Sequence, residues 1–542
     1  MANTLNLGDG NWGVKDSSLL GYAKDNTKFV PETFDVTRAS GGTRVNKSGL
    51  IETPTEILSG ELITNGDFSN GSADWTISNL GGSKGWRIVN NRAICDTIGV
   101  GNGRNLNSTT SLVNGKSYKV TLDIIQSEDE MGILIGSTFI SDTFPIGTNL
   151  GASYIIDSSQ HSGGIFSLYG GSSDSQEVDN ISVIEINQDN LARIDYTDGA
   201  DGVLLTEPQS TNLVSDSESY TGYFDNSGTL IYNNITSPDG LQNGAKNYAS
   251  TTGSFRGLSK SLGSTLNNSE YTLSVFAKAG EFDNLFFYNI GSPSGNGGVW
   301  FNLSTGSVGT THASWSNAKM EDYGNGWYRC SSTVTLSGIS DNLYILLADA
   351  NNSVVATSNG TDGYYIFGAQ LEEQSYATSY IPTYGAIATR SGDLVNNAGS
   401  VTNFNSEEGV LYFEASSLSQ TLTTDGIIRI ENSLDDSNEY VDIRYDTTQN
   451  RVQIVVRVGG VNQTTSGVVI SDTTDNNKFA LKYKENDIAL WINGVEEITV
   501  SSSSVPSGLD ELLFSSFYAK TKNIQVFNEA LSDAELQTLT TI

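Results

Sequence analysis

The sequence predicts an all-β, multi-domain protein of tandem antiparallel β-sandwiches with an N-terminal anchoring segment. At 542 residues the chain is too long for one hydrophobic core. Its 57 glycines and its low share of charged residues, 17%, are typical of short strands joined by tight turns. Runs that alternate apolar and polar residues recur along the chain, which indicates half-buried strands.

These runs divide the chain into four parts. Residues 1–58 hold few periodic runs, and we expect them to form an attachment segment that continues at residues 189–204. Apolar residues in so short a segment need a partner surface for their burial. Residues 59–188, 205–395 and 396–542 are each predicted to form a β-sandwich.

Local signals support each sandwich. In the first, residues 118–124 alternate after the turn signal Asn114-Gly115, and in the second residues 271–277 alternate. The third contains the hairpin signal Asn493-Gly494. It ends in a predicted helix that begins with a capping box of Ser532 and Glu535 and docks on the sandwich through its leucines.

The charge balance excludes two classes of partner. Sixty-two acidic residues against 29 basic ones give a formal net charge of −33, which repels nucleic acid and anionic membranes. No run of 18 apolar residues and no export signal is present, so we expect synthesis in a host cytoplasm without membrane insertion. Cys95 and Cys330 lie far apart, and no disulfide framework is expected.

Several strings resemble phage virion proteins. FDVTRASGGTRVNKSGLIE, from Phe34, and ARIDYTDGADGVLLTEPQSTNL, from Ala192, resemble the start of many such proteins, in which the two are nearly contiguous. The resemblance implies that residues 53–191 hold an insertion. FGAQLEEQSYATSYIPTYGAIATRSGD, from Phe367, is also typical of them. KYKENDIALWINGVEE and NEALSDAELQTL resemble the concanavalin A-like, or laminin G-like, domain of phage tail and fibre proteins.

The inserted part resembles carbohydrate-binding jelly rolls through Asn65-Gly66-Asp67-Phe68, Trp75 and Val178-Asp179-Asn180-Ile181. The resemblance implies a structural calcium ion held by Asp67 and Asp179, which suits a cation that prefers oxygen ligands. The alternative is that both aspartates bond their own turns.

No catalytic set is apparent, and we expect a non-enzymatic protein. The two histidines, His161 and His312, lie in polar contexts typical of exposed loops. Glu372-Glu373 follows a strand, but hydrolysis of a glycosidic bond requires two positioned carboxyl groups, and no such pair is evident.

Aromatic residues remain as candidates for ligand binding. Of seven tryptophans, Trp86 and Trp315 lie in polar surroundings and are the predicted sugar-stacking residues, with core packing as the alternative. We therefore expect a phage virion structural protein, a tail or head fibre or appendage subunit. It would attach to other virion proteins through its N-terminal segment, bind host-surface glycan, and assemble as a homo-oligomer, with a trimer favoured. The alternatives are a capsule-degrading depolymerase, a decoration protein without ligand and a secreted bacterial lectin.

Overall fold

The computed structural model describes residues 3–542 except 16–17, 26–27, 78–84, 97–103, 128–130, 145–147, 171–174, 219, 221–223, 227, 262–265, 267, 291–296 and 337–341. Nearly all of its regular secondary structure is strand, as the sequence predicts, and the strands form antiparallel sheets. In the described part of the chain, no helix is long and apolar enough to cross a membrane.

Residues 1–54 contain β1 (Leu5–Gly8), β2 (Gly13–Lys15), β3 (Ser18–Asp25), β4 (Lys28–Thr37), β5 (Arg44–Val45) and β6 (Ile51–Glu52). Residues 55–187 contain β7 (Glu56–Ile57), β8 (Trp75–Ile77), β9 (Gly85–Val89), β10 (Arg92–Asp96), β11 (Arg104–Leu112), β12 (Ser117–Ser127), β13 (Met131–Ile135), β14 (Thr138–Phe144), β15 (Asn149–Ile156), a 3-10 turn at Ser158–Gln160, β16 (Gly164–Gly170) and β17 (Ser175–Asn187).

Three short strands follow, β18 (Ile194–Asp195), β19 (Val203–Leu205) and β20 (Ser210–Asn212). The next stretch contains β21 (Phe224–Asn226), β22 (Gly228–Ile235), β23 (Gly244–Ala249), β24 (Gly253–Ser254), β25 (Gly257–Ser261), β26 (Ser269–Lys278), β27 (Asn284–Ile290), β28 (Gly297–Asn302), β29 (Ser307–Thr311), β30 (Trp315–Asp322), β31 (Trp327–Leu336), β32 (Asn342–Ala348), β33 (Val355–Ala356) and β34 (Gly363–Glu372).

The last stretch contains β35 (Ala388–Arg390), β36 (Leu394–Ala398), β37 (Glu408–Ser417), β38 (Gly426–Glu431), β39 (Tyr440–Tyr445), β40 (Arg451–Val458), β41 (Val461–Val469), β42 (Asn477–Lys484), β43 (Ile488–Ile492), β44 (Val495–Val500), β45 (Glu511–Ser515), β46 (Ala519–Phe527) and the helix α1 (Asp533–Thr540).

The chain folds into two units. Residues 1–54, 188–210 and 389–542 form the first, which we call the split sandwich. The second unit consists of the inserted sandwich, residues 55–187, and the second sandwich, residues 211–388.

The N-terminal segment is part of the split sandwich and not a separate arm. One sheet runs β44-β43-β42-β37-β46, and β1 and then β19 pair along the free edge of β46. The other runs β41-β40-β39-β38-β45-β36-β4-β3-β2. Leu5, Leu7, Leu19 and Phe34 are buried in the core between them. The segment is therefore not the separate part that we expected, because its apolar residues are buried within the chain's own sandwich, and its role in attachment stays a prediction.

Five buried charged side chains join the three pieces of the split sandwich, and we call them the arginine hub. Arg38 comes from the first piece, Arg193 and Glu207 from the second, and Arg390 and Asp393 from the third, each with a side chain at most 4% exposed. Arg38 Nη1 lies 2.7 Å from Asp393 Oδ1, and Arg390 Nη1 lies 2.7 Å from Glu207 Oε2. Arg193 bridges both acids.

The helix α1 docks as predicted. Leu531 and Leu536 are buried against the outer face of the β37-β42-β43 sheet beside Trp491. The Glu535 carboxylate accepts hydrogen bonds from the backbone N–H and the hydroxyl of Ser532, at 2.9 and 2.7 Å, which caps the helix.

The inserted sandwich packs the sheet β15-β12-β17-β10-β9 against β14-β13-β16-β11-β8. Residues 58–66 run along β17, with the Leu62 N–H bonded to Val183 O at 2.9 Å and the Ile181 N–H bonded to Gly66 O at 3.0 Å. The two ends of this part of the chain therefore lie side by side, which is the arrangement that an insertion requires.

The second sandwich packs the sheet β22-β23-β34-β26-β31-β30 against β21-β25-β32-β27-β28-β29. The outer face of the first of these sheets is covered by residues 374–383. Glu372 fastens this cover, since its carboxylate accepts the Thr378 N–H at 3.0 Å and the Gln370 amide at 2.6 Å. The outer face of the other sheet is covered in part by the short ribbon of β24 and β33, which packs on Phe286 and Trp300.

Candidate functional site

The predicted sugar-stacking tryptophans belong to the hydrophobic cores. Trp86 is 1% exposed in the core of the inserted sandwich, and Trp315 is 4% exposed in that of the second. The Trp315 indole N–H is bonded to Gly297 O at 3.0 Å. Neither ring offers an open face, so the structure assigns both side chains to packing. The polar residues next to each tryptophan in the sequence indicated exposure. In short strands, however, polar turn residues also stand next to buried positions.

Each of the two predicted calcium ligands accepts a backbone N–H from a residue close to it in the chain. Asp67 Oδ1 accepts the Ser69 N–H at 3.2 Å and its hydroxyl at 2.9 Å, and these hydrogen bonds lower the pKa of Asp67. Asp179 Oδ1 accepts the Asn180 N–H at 2.8 Å. Burial, with Asp123 and Asp67 nearby, raises the pKa of Asp179. Asp67 therefore closes a turn, whereas Asp179 lies within β17 and bonds the N–H of the next residue.

The donor set does not form a metal cage. Among the described residues, no three His, Cys, Asp or Glu side chains gather in a way that could hold an ion. The segments that carry Asp67 and Asp179 are held together by direct backbone contact. A Cβ on Gly66 would lie 1.9 Å from Ile181 O. Only glycine allows that approach, and calcium binding stays a prediction.

The histidines differ from each other. His161 is buried, with Nε2 2.9 Å from Lys116 O and Nδ1 accepting the Gly163 N–H at 3.0 Å, so it packs a turn and is not an exposed loop residue. His312 is exposed, as expected, and its ring lies 5.2 Å from that of Trp300.

The outer face of the β14-β13-β16-β11-β8 sheet carries an exposed aromatic residue. β13 and β14 form a hairpin in which Ile135 pairs with Thr138, and Gly136 takes the positive φ that such a two-residue turn requires. Ile133 and Ile140 face the core, so the next pair, Leu134 and Phe139, faces outward. The Phe139 side chain is 48% exposed.

A second ring lies beside Phe139. Tyr169, on β16, has its ring centroid 4.9 Å from that of Phe139, with the planes at 72°. Gly132 pairs with Tyr169, and a Cβ on Gly132 would lie 2.7 Å from the Phe139 ring. Because Gly132 has no side chain, the two rings can lie in contact and form one apolar patch on the sheet.

Amide groups flank the rings. Asn105 pairs with Tyr169 and Asn107 with Ser167, so both asparagines lie on the same outer face as Tyr169. The Ser167 hydroxyl donates to Asn107 Oδ1 at 2.8 Å. Within the described part of the chain, the side-chain nitrogens of Asn105 and Asn107 have no partner.

We call Phe139, Tyr169, Asn105 and Asn107 the Phe139 surface. None of these side chains carries a charge. Aromatic rings accept the C–H face of a sugar, while amides bond its hydroxyls, so the surface suits a neutral sugar ring. Sequence reasoning missed it because Phe139 is a phenylalanine among polar residues. Alternation alone gives no sign of it, since Phe139 is an even number of residues from the core residues Ile133 and Ile135. Only the two-residue turn, which pairs Ile135 with Thr138, places Phe139 on the opposite face of the sheet.

Comparison with known proteins gives no family. No family model matches the chain, and no curated protein matches it. Among solved structures, the CBM40 of the Ruminococcus gnavus IT-sialidase bound to alpha2,3 sialyllactose is 16% identical over 26% of this chain and 84% of its own, with a TM-score of 0.21.

Two further solved structures also have low sequence identity and low TM-scores. The NanB sialidase from Streptococcus pneumoniae is 17% identical over 26% of this chain and 25% of its own, with a TM-score of 0.23. The LG1-3 region of the laminin alpha2 chain is 7% identical over 80% of this chain and 96% of its own, with a TM-score of 0.12. The description of the sandwiches therefore rests on the strand pairings of this chain.

Proposed function

We propose that the chain is a non-enzymatic glycan-binding protein of a phage virion appendage, and that it binds a neutral host-surface glycan through the Phe139 surface. The observation that carries the binding role is the pair of rings, Phe139 and Tyr169, beside the side-chain nitrogens of Asn105 and Asn107, which have no partner among the described residues. A half-exposed phenylalanine on a sheet face has no role in the core of its own sandwich.

The charge pattern supports a neutral ligand. A protein with a formal net charge of −33 repels an anionic capsule unless cations bridge it. Because the Phe139 surface itself is uncharged, its affinity should come from stacking and hydrogen bonding. Single sugar contacts are weak, so several copies on one particle would supply useful avidity.

The virion role rests on the strings that resemble phage proteins. Three of these stretches contain the arginine hub: Arg38 lies in the string from Phe34, Arg193 and Glu207 in the string from Ala192, and Arg390 and Asp393 in the string from Phe367. The shared strings thus correspond to the junctions of the split sandwich. We therefore assign attachment to the split sandwich as a whole, and the assembly we propose is a trimer.

Binding is tested with purified full-length protein against a panel of neutral polysaccharides by affinity electrophoresis. Phe139→Ala should weaken binding at least about tenfold, since burial of such a side chain is worth about 1.5–3 kcal/mol. Asn107→Ala should weaken it about two- to tenfold, the value of one hydrogen bond. The matched control is Val113→Ala, at a residue 55% exposed in the same sandwich.

The outcomes separate the alternatives. Equal retention of the Phe139→Ala variant and the wild type would remove the proposed site, and a protein that binds no glycan would be a decoration protein. Release of reducing sugar from a retained polysaccharide would show a depolymerase. Light scattering tests the trimer, and a reconstruction of the virion tests the location.

A further inference from the structure

The second sandwich carries a separate aromatic cluster on the outer face of its β25-β32-β27-β28 sheet. Phe286, Trp300 and Leu346 are buried, yet they belong to a cluster distinct from the sandwich core. The register places them in one row, since Phe286 pairs with both Trp300 and Leu346. Their chain neighbours, such as Phe287 and Ile345, fill the core on the other side of the sheet.

A short ribbon of β24 and β33 covers one part of this cluster. Gly253 pairs with Ala356, and the Phe255 N–H is bonded to Val354 O at 2.8 Å. The Trp300 indole N–H is bonded to Ser353 O at 2.7 Å, which holds the ribbon to the sheet. This cover accounts for the burial of Phe286 and Trp300, whose rings stack 5.1 Å apart.

Beyond the ribbon, Tyr288 and Tyr344 lie side by side and remain partly exposed. They are a direct cross-strand pair with ring centroids 6.1 Å apart. Neither hydroxyl has a hydrogen-bond partner in the part of the chain that the structure describes. Tyr288 and Tyr344 thus form a floor of two rings, each with a free polar end.

Phe255 forms a wall against this floor. Its ring centroid lies 5.0 Å from that of Tyr288. Phe255 has φ +55°, a strained conformation that bulky L-residues rarely adopt. The fold therefore stores strain at the residue that positions this ring, and such strain gathers at ligand clamps. We call Phe255, Tyr288 and Tyr344 the tyrosine surface.

We propose that the tyrosine surface is a second binding site for a neutral sugar ring, so that one chain is bivalent for glycan. The proposal rests on the proposed function. A sugar offers C–H faces to the rings and hydroxyls to the two unpartnered phenol groups. An apolar protein partner fits less well, because it would bury both hydroxyls without a hydrogen bond, which is unfavourable.

Bivalency predicts a specific binding behaviour. A long polysaccharide that engages both sites on one chain gains avidity by effective concentration, by a factor of about 10²–10⁴. A short oligosaccharide fills the two sites independently. Loss of one site should therefore lower the affinity for the polymer strongly. For the oligosaccharide, it should reduce only the number of molecules bound per chain, by one.

The experiment uses the full chain, the polysaccharide that the wild type retains best, and its short oligosaccharide. Tyr288→Ala with Tyr344→Ala should lower the affinity for the polymer at least about tenfold and reduce the oligosaccharide equivalents from two to one. Tyr288→Phe with Tyr344→Phe keeps the rings and should weaken binding about two- to tenfold through the lost hydroxyl bonds. Tyr232→Ala, at a tyrosine 44% exposed on β22 of the same sandwich, is the control.

The results distinguish this inference from the proposed function. If the wild type binds one equivalent and both tyrosine double variants bind as it does, the second site is wrong and the Phe139 surface stands alone. If the tyrosine variants abolish binding while Phe139→Ala does not, the tyrosine surface is the site and the Phe139 assignment fails. If the wild type retains no neutral glycan, both proposals fail. A variant with the melting temperature of the wild type excludes unfolding as the cause.

Discussion

Removal of one acid from the arginine hub should destabilise the split sandwich strongly. Asp393 accepts from Arg38 at 2.7 Å and from the Glu207 backbone N–H at 2.8 Å, and it also bridges to Arg193. The hub holds three arginines and two acids, so it already carries one excess positive charge. Asp393→Asn keeps the shape and leaves two excess charges in a site closed to water.

The expected cost follows from that uncompensated charge. Removal of one partner of a buried ion pair costs about 3–5 kcal/mol, against a total stability of about 5–15 kcal/mol for a typical domain. For a unit of this size, each kcal/mol lowers the melting temperature by about 2–4 °C. The split sandwich of Asp393→Asn should thus melt roughly 6–20 °C lower.

Calorimetry with hydrogen-exchange mass spectrometry measures this effect and assigns it to a unit. Peptides of the split sandwich should lose protection, while those of the inserted and second sandwiches should not. The matched control is Asp198→Asn, which removes an exposed ion pair with Lys520 and should cost about 0–1 kcal/mol. If the Asp393→Asn variant has the same melting temperature as the Asp198→Asn variant, the hub does not hold the three pieces together.

The pH dependence of the same residue has a defined sign. Burial by itself raises the pKa of Asp393, but the charges of Arg193, Arg38 and Arg390 outweigh it and hold the pKa below the usual 3.8. A carboxyl with a lowered pKa stabilises the fold at any pH above its unfolded pKa, and this stability is lost as the pH falls through the folded value. The hub should therefore fail only in acid below about pH 4.

Three further predictions concern single sites. Trp86→Ala should destabilise the inserted sandwich by about 3–5 kcal/mol, because it leaves a cavity in the core, and thermal melting measures this loss. An unchanged melting temperature would show that Trp86 is not a core residue. Burial, with Glu511 and Asp436 nearby, raises the pKa of Glu431 to about 7. The folded state therefore binds its proton more tightly than the unfolded chain, so stability should fall as the pH rises from about 4.5 to 7, and Glu431→Gln should remove that slope in urea titrations. If Asp67 and Asp179 hold calcium, the inserted sandwich should melt higher with calcium than with EDTA; equal melting in both would show that they hold none.

Local patterns predicted the strands and the helix of this chain. Tyr118, Val120, Leu122 and Ile124 alternate in sequence and are all buried in the core of the inserted sandwich. The same holds for residues 271–277, in which every second side chain faces the core of the second sandwich. These outcomes depend on the two-residue period of a strand, which acts over a few positions.

The two-residue period of a strand could not identify the candidate sites. Trp86 and Phe139 both stand among polar residues, yet one is buried and the other half exposed. Which of them faces the core depends on the register between strands and on the sheet packed opposite. The Phe139 surface also needs Asn105 and Asn107, which β16 links to β13 across the sheet.

The sequence by itself determined the all-β class, the strand-rich segments, the capped helix and the acidic surface, because each depends on neighbours a few residues away or on composition alone. Only the tertiary structure decided that residues 1–54 complete a sandwich with residues 389–542. Arg38 and Asp393 are 355 positions apart in the chain, and their ion pair exists only because two insertions leave the split sandwich and return to it. Contacts at that separation carry no local period, so their partners emerge only when the sheets have formed.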